Sequence, residues 1–445
     1  MILKRAWVFC FLLGLELSQA FLSDRSLTSS RAIWIPPSSF NKHTTSAPQL
    51  QLQVGVDNTL ETSFVLHKST TTTPSRWSRI TRRQREPKTT EQELVFRYDY
   101  DQLELRGSKN SKTTSPAANT TGVVLIHPIG VGIGKWFYNR LIQYLHARHG
   151  QKSSRSYIVV VPDLVGSGSA CNPIWNGKEM SKLPMLNVSD WSDQMVHLMA
   201  EVQTTKPEIQ SWCLVANGGC APIALQVAKR SAENSAAVNV SQVIVSSAPR
   251  LPFFLQSSDP AKVAKSYRTL CGILGKLFWW YACRRNGKFI QKFSEKNLVA
   301  DSKNLGDSWT PNCVQTARLY EGKSRYSTFS FLAGALQDGC QASLEALKDT
   351  NVRIDIIMGR DIRRNKAKSW FWQKSKRNND ESTTNKGNDD KSEGEVQVEE
   401  PRKTFRDFVE ENGNGGRERV VGGRISLAHE DAPGYADALM TLIME

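Results

Sequence analysis

From residue 92 onward the apolar positions change period in a repeating order. "ELVFRYDYDQLELRG" alternates apolar and polar over two short runs, which predicts a β-hairpin at residues 93–107. "TGVVLIHP" is a continuous apolar run closed by turn residues, the pattern of a strand buried on both faces of a parallel sheet. "YNRLIQYLHAR" has helical spacing and "SYIVVVPDL" is again a buried strand. The cycle repeats through the helix "WSDQMVHLMAEVQ", the strand "SWCLVA", the helix "APIALQVAKR" and the strand "VSQVIVSSAP". Strand and helix in alternation predict an α/β architecture, a mostly parallel sheet with helices on both faces.

Beyond Pro249 the rhythm changes. Residues 250–349 are rich in aromatic and helix-forming side chains, as in "KLFWWYACRRNGKFIQKFSEKNL" and "RYSTFSFLAGALQ", and contain no convincing strand, so a helical insertion is expected there. The strand pattern returns at "NVRIDIIMG". It gives way at about 364–402 to a charged, low-complexity stretch that reads as a disordered surface insert. A helix at "KTFRDFVEEN", a strand at "RERVV" and a final amphipathic helix at "DAPGYADALMTLI" close the chain. The core is thus divided into residues 92–249 and 350–445 around the insertion.

The first 91 residues belong to neither part. Lys4 and Arg5 precede an apolar run that ends in small residues at Ala20, the layout of a secretory signal peptide over residues 1–20. Residues 21–91 are expected to form a disordered leader, rich in Ser and Thr; residues 21–90 hold ten Lys or Arg against four acids. Together the two segments have the layout of a bipartite plastid leader, with secretion on a disordered stalk as the alternative. Much of the formal net charge of +15 over 445 residues sits in such a biased segment, residues 21–90, so it predicts a basic leader more than a binding face. No zinc-finger spacing, RNA-binding aromatic signature or heptad run points to nucleic acid. Seven cysteines outside the leader have neither scaffold nor C-x-x-C spacing and are expected to be mostly reduced. Asn119, Asn187 and Asn239 begin glycosylation sequons, which matter only if the chain stays in the secretory route.

Four markers, in order, resemble the α/β-hydrolase superfamily. "HPIG" at His127–Gly130 is similar to the turn whose backbone N–H groups help to bind an oxyanion. "PDLVGSGSA" at 162–170 is similar to the Asp-x-x-Gly-x-Gly-x-Ser loop, "LVANGGCAPIAL" at 214–225 to the nucleophile elbow, and the helical insertion to the cap. "HPIGVG", the serine-free elbow and "RYSTFSFLAGAL" further resemble a plastid and cyanobacterial branch. In register with the superfamily, Gly218 occupies the nucleophile position and Ala216 and Cys220 the small ones. The resemblance then implies oxyanion donors at Ile129 and Gly219, a triad acid at Asp361 and a triad base at His429.

Each of these has an ordinary reading beside it. Asp361 is equally a loop-start carboxylate among Arg360, Arg363 and Arg364. His429 comes late, Arg424 stands where the histidine usually follows a glycine, and a surface residue at a helix start is expected. A shift of two residues would make Cys220 the nucleophile, but it places Pro222 at a small position, and a buried packing thiol is the simpler expectation. Ser167 and Ser169 read as turn residues, His127 as a turn and packing residue, His197 as a packing histidine, and Asp163 as a brace for its loop. No His, Cys, Asp or Glu cluster has metal spacing and no phosphate loop is present, so neither a metal nor another cofactor is expected.

Two functions follow. One is a non-hydrolytic protein that holds an apolar or carbonyl-bearing small molecule, or a protein partner, under its cap. The other is an active hydrolase, or a lyase that needs no nucleophile, acting on an ester or a lipid- or pigment-like substrate. Trp370, Phe371 and Trp372 among basic residues in segment 363–377 add the possibility of peripheral membrane contact.

Overall fold

The computed structural model describes residues 59–72, 88–105, 120–149, 156–180, 182–248, 259–284, 287–337, 340–360 and 416–444. The signal peptide, residues 21–58 of the leader, Asp361, the basic 363–377 segment and the helix expected at "KTFRDFVEEN" lie outside them.

The sheet comprises β1 (Thr59–Thr72), β2 (Lys88–Leu105), β3 (Thr120–Ile126), β4 (Ser156–Pro162), the short pair β5 (Ile174–Trp175) and β6 (Lys178–Glu179), β7 (Ile209–Asn217), β8 (Val240–Ser246), β9 (Arg353–Gly359) and β10 (Glu418–Val421). Its order is β10-β9-β8-β7-β3-β4-β2-β5-β6, with β1 paired to β2. β3, β4, β7, β8, β9 and β10 run parallel, and β2 lies antiparallel to both β1 and β4. This strand order, with one reversed strand second in sequence, is that of the α/β-hydrolase fold.

Alternation along the strands builds two cores. Val124 and Ile126 of β3 and Leu214 and Ala216 of β7 face α2 (Val188–Thr205) and α3 (Ala221–Ala232). Val123, Leu125, Cys213 and Val215, one residue out of phase, face α1 (Asn139–His149) and the C-terminal α11 (Ala432–Met444). Between β8 and β9 the chain forms α4 (Pro260–Leu270), α5 (Ile273–Arg284), α6 (Lys288–Asn297), α7 (Trp309–Gly322), α8 (Arg325–Ala333) and α9 (Cys340–Leu347). No strand occurs in that insertion among the described residues, as its sequence predicts. Tyr326 and Phe329 of α8 join the first core and Trp309 and Cys313 of α7 join the second, so the cap is anchored on both sides of the sheet. A four-residue α10 (Leu427–Glu430) precedes α11. No helix among the described residues is long and apolar enough to cross a membrane.

One boundary differs from expectation. The hairpin is not contained in residues 93–107. Residues 93–105 of that stretch belong to the single strand β2, and its partner β1 comes from the region expected to be disordered leader. The reason is composition. Among the described side chains of "TLETSFVLHKSTTT" only Phe64 and Leu66 are buried, and its Thr residues, good strand formers, also mimic leader composition. Side chains then fasten β1 to α2: Lys68 pairs with Asp190, Thr62 donates to Glu201, and His197 Nε2 hydrogen-bonds the Ser63 carbonyl at 2.9 Å. His197 is therefore an exposed contact to the edge strand and not part of the packed stripe. Asn187 is engaged as the N-cap of α2 in a reciprocal capping box with Asp190.

Candidate functional site

The apolar strand β7 ends at Asn217, and the chain turns into α3 through Gly218, Gly219 and Cys220. Gly218 holds φ at +51°, the left-handed conformation that L side chains rarely adopt. A Cβ built there would meet only the Ser247 carbonyl, at 3.8 Å, so the position is conformationally demanding but not filled. Cys220 has ordinary helical angles (φ −90°, ψ −1°) and is 1% exposed in the first core. Burial pushes its thiol up to about 12, opposed by a hydrogen bond with the Ile129 backbone. The positive φ therefore falls at Gly218, the tip of the elbow in the unshifted register, and Cys220 is a core residue.

That contact also shows that the turn after β3 faces the elbow. Ile129 is buried, Gly219 half-buried, so the two predicted oxyanion donors lie on adjoining turns. The turn itself is held from below by His127. Its Nε2 accepts from the Leu164 N–H at 3.1 Å, which leaves Nδ1–H to donate to the Pro128 carbonyl at 3.0 Å. Burial holds this imidazole below the ordinary histidine range, against the pull of Asp163. His127 is a neutral structural strut, as the turn-and-packing reading predicts.

The loop after β4 is braced by Asp163, whose carboxylate accepts from the Lys135 N–H, the Ser169 N–H and the Ser169 hydroxyl at 2.8–2.9 Å. Gly168, at φ +49°, is required beside it because a Cβ would lie 2.2 Å from that carboxyl group. Ser169 also accepts from the Asp99 N–H, and the Ser167 hydroxyl is 3.1 Å from that of Ser327. Both serines are committed to loop structure.

The cap seats directly on these turns. Thr328 Oγ1 of α8 donates to the Gly130 carbonyl at 3.1 Å, and the Leu186 N–H donates to Ser330 Oγ at 3.0 Å. The backbone of Cys313 in α7 occupies the space where Gly132 would carry a side chain. "RYSTFSFLAGAL" is thus a largely buried segment in which Ser327, Thr328 and Ser330 are matched to core loops. A groove of about 640 Å³ is lined by Lys292, Glu295, Lys296, Ala300, Asp301 and Ser302, and no elbow residue reaches it.

His429 is not the surface residue expected. It is 4% exposed, inside an aromatic box with its ring 4.6 Å from that of Trp309 and 6.5 Å from that of Trp136. Its Nε2 hydrogen-bonds the Leu305 carbonyl at 2.8 Å, and Arg140 spans the same seam, donating to the carbonyls of His429, Asn304 and Leu305. Burial lowers its pKa to about 4, the Leu305 carbonyl raising it and Arg140 lowering it. Its neighbours Leu305 and Trp309 arrive from the cap, more than a hundred residues away in sequence, which no local pattern reveals.

The C-terminal loop touches the elbow with a different residue. The Ile425 carbonyl accepts from Ser247 Oγ at 2.8 Å and Asn217 Nδ2 at 3.4 Å, while Arg424 turns outward to the Lys296 carbonyl. The described residues accordingly bring Ile129, Gly219, Gly218 and Ile425 together and commit the His429 ring to the cap seam.

No protein-family model matches the chain, and no curated protein does. Among solved structures it is similar to a thermophilic esterase from Thermogutta terrifontis (10% identity, TM-score 0.44, 78% of this chain and 94% of that one). It is also similar to the epoxide hydrolase CorEH (9%, 0.46, 86% and 99%) and to a peroxisomal α/β-hydrolase from Saccharomyces cerevisiae (12%, 0.46, 86% and 87%). The strand order and the left-handed turn between β7 and α3 give the chain the α/β-hydrolase fold.

Proposed function

We propose that this α/β-hydrolase-fold protein works in a plastid and has no nucleophile at its elbow, so that it holds an apolar or carbonyl-bearing ligand, or a protein partner, without hydrolysing it. The observation that carries the reading is the φ of +51° at Gly218. A residue at that tip presents its side chain to the site, and glycine has none to attack a carbonyl. Cys220 does not replace it, because a buried thiol pushed up to about 12 supplies almost no thiolate at neutral pH. His429 is a poor base toward this point, with its ring nitrogen on the Leu305 carbonyl. Adjoining turns at Ile129 and Gly219 lie under an aromatic-rich cap, and the Gly219 N–H suits a carbonyl oxygen, the Ile129 N–H being turned to the Cys220 thiol.

Fluorophosphonate and iodoacetamide probes test this on the purified protein. No labelling by the first and only denaturant-dependent labelling of Cys220 by the second are expected; rapid native reaction at either would sink the reading. The plastid address rests on leader composition alone, and a fluorescent fusion of the leader checks it.

A further inference from the structure

The helix α5, Ile273–Arg284, is apolar on two opposite sides. Trp279, Ala282 and Cys283 are buried in the cap, whereas Ile273, Leu274, Leu277 and Trp280 are 77%, 63%, 57% and 50% exposed. At about 100° per residue these four positions fall within a single arc of roughly 120°, facing away from the buried side. An ordinary surface helix carries charged side chains on that arc. The apolar surface continues onto α6, where Phe293 is 45% exposed and its ring is stacked on Phe289, which in turn packs edge-on against Phe278 and Tyr281.

The surroundings of this patch are strongly basic. Residues 260–297 contain nine Lys or Arg and one acid, Glu295. Lys276 borders the apolar arc on α5, and Lys288 and Lys292 on α6 and Arg268 on α4 are exposed around it. Charge chooses among occupants. A second copy of the chain docked by a two-fold axis would bring this basic border against itself, which opposes association. An acidic lipid surface complements it: apolar side chains enter the acyl boundary, Trp280 suits the interface, and the lysines meet phosphate groups.

We propose that the exposed face of α5, with α6 beside it, is a docking surface for an anionic lipid bilayer, on which the cap lies in the plane of the interface. The proposal is independent of the elbow chemistry, since none of these residues touches Gly218 or its neighbours. It also differs from contact through the basic 363–377 segment.

Co-sedimentation of the full chain with vesicles of phosphatidylglycerol and phosphatidylcholine in equal parts, against phosphatidylcholine alone, is the test. Binding to the anionic vesicles that weakens with added salt is expected. The exposed double variant Leu274→Glu/Leu277→Glu should bind at least about tenfold more weakly, and Lys288→Glu/Lys292→Glu should lose affinity comparably, with thermal unfolding near that of the parent. Deleting residues 363–377 should leave binding in place. The proposal is overturned by a parent chain that ignores anionic vesicles, by a leucine variant that binds as the parent does, or by binding that vanishes with the 363–377 deletion. A parent that dimerises through these leucines and does not bind vesicles would overturn it too.

Discussion

Gly218 combines a left-handed backbone with open space beyond its Cα, and that combination sets the outcome of restoring a side chain. In Gly218→Ser the new Cβ would clear the Ser247 carbonyl, so the cost is the backbone's, about 1 kcal/mol. Chemical unfolding should show that loss while the variant stays unreactive toward fluorophosphonate, because the His429 ring is engaged with Leu305 and has its pKa near 4. Labelling of the variant would show that a competent base already faces the elbow. His429 makes a second prediction. Its folded pKa lies below the ordinary value of about 6.5, so the unfolded chain binds more protons between the two values, and stability falls as pH drops through that window. A shift of this size corresponds to about 3 kcal/mol lost between pH 6.5 and 4. Urea titrations of the parent and His429→Gln across that range check it: the parent should lose stability more steeply, the difference being the contribution of this imidazole.

At the scale of elements, the cap and the oxyanion-type turn form one joint. Gly132 carries φ +71°, and the Cys313 carbonyl oxygen lies 1.8 Å from where its Cβ would be. Gly132→Ala should therefore cost about 3 kcal/mol or more and lift α7 from the turn. Limited proteolysis would report this as new cleavage in the cap before the core is cut. How much of such a joint a sequence reveals depends on how many faces an element buries. The strands β3, β4 and β7 are buried on both sides, so their continuous apolar runs stand out, as do the turns that end them. The helix α8 is expected from the helix-forming composition of the insertion, but the burial of Ser327, Thr328 and Ser330 becomes intelligible only once Gly130, Ser167 and Leu186 supply their partners. The site divides in the same way. The glycine at the elbow tip follows from local register, whereas the placement of His429 depends on cap residues distant in sequence.

For the whole molecule, the closing contacts lie far from the elbow. Asp355, fully buried in β9, accepts from Gln242, from Arg353 and from the Arg417 N–H, and Gln242 and Arg353 continue to the Leu442 carbonyl. This network ties β8, β9, the approach to β10 and the final helix together, so the two chain segments on either side of residues 361–415 are joined by core hydrogen bonds. At the opposite edge β1 performs a comparable service, and it has a consequence for truncation. Truncation can reach residue 58 without loss to the sheet, whereas going further strips fourteen residues of ladder from β2 and uncovers the neighbours of Phe64 and Leu66. Chains begun at residue 59 should match the longer form in melting temperature, whereas chains begun at residue 88 should melt several degrees lower, as differential scanning fluorimetry would record. The edge strand thus sets how far the chain can be shortened from its start: up to residue 58 the ladder on β2 stays whole, and beyond it the sheet loses its margin.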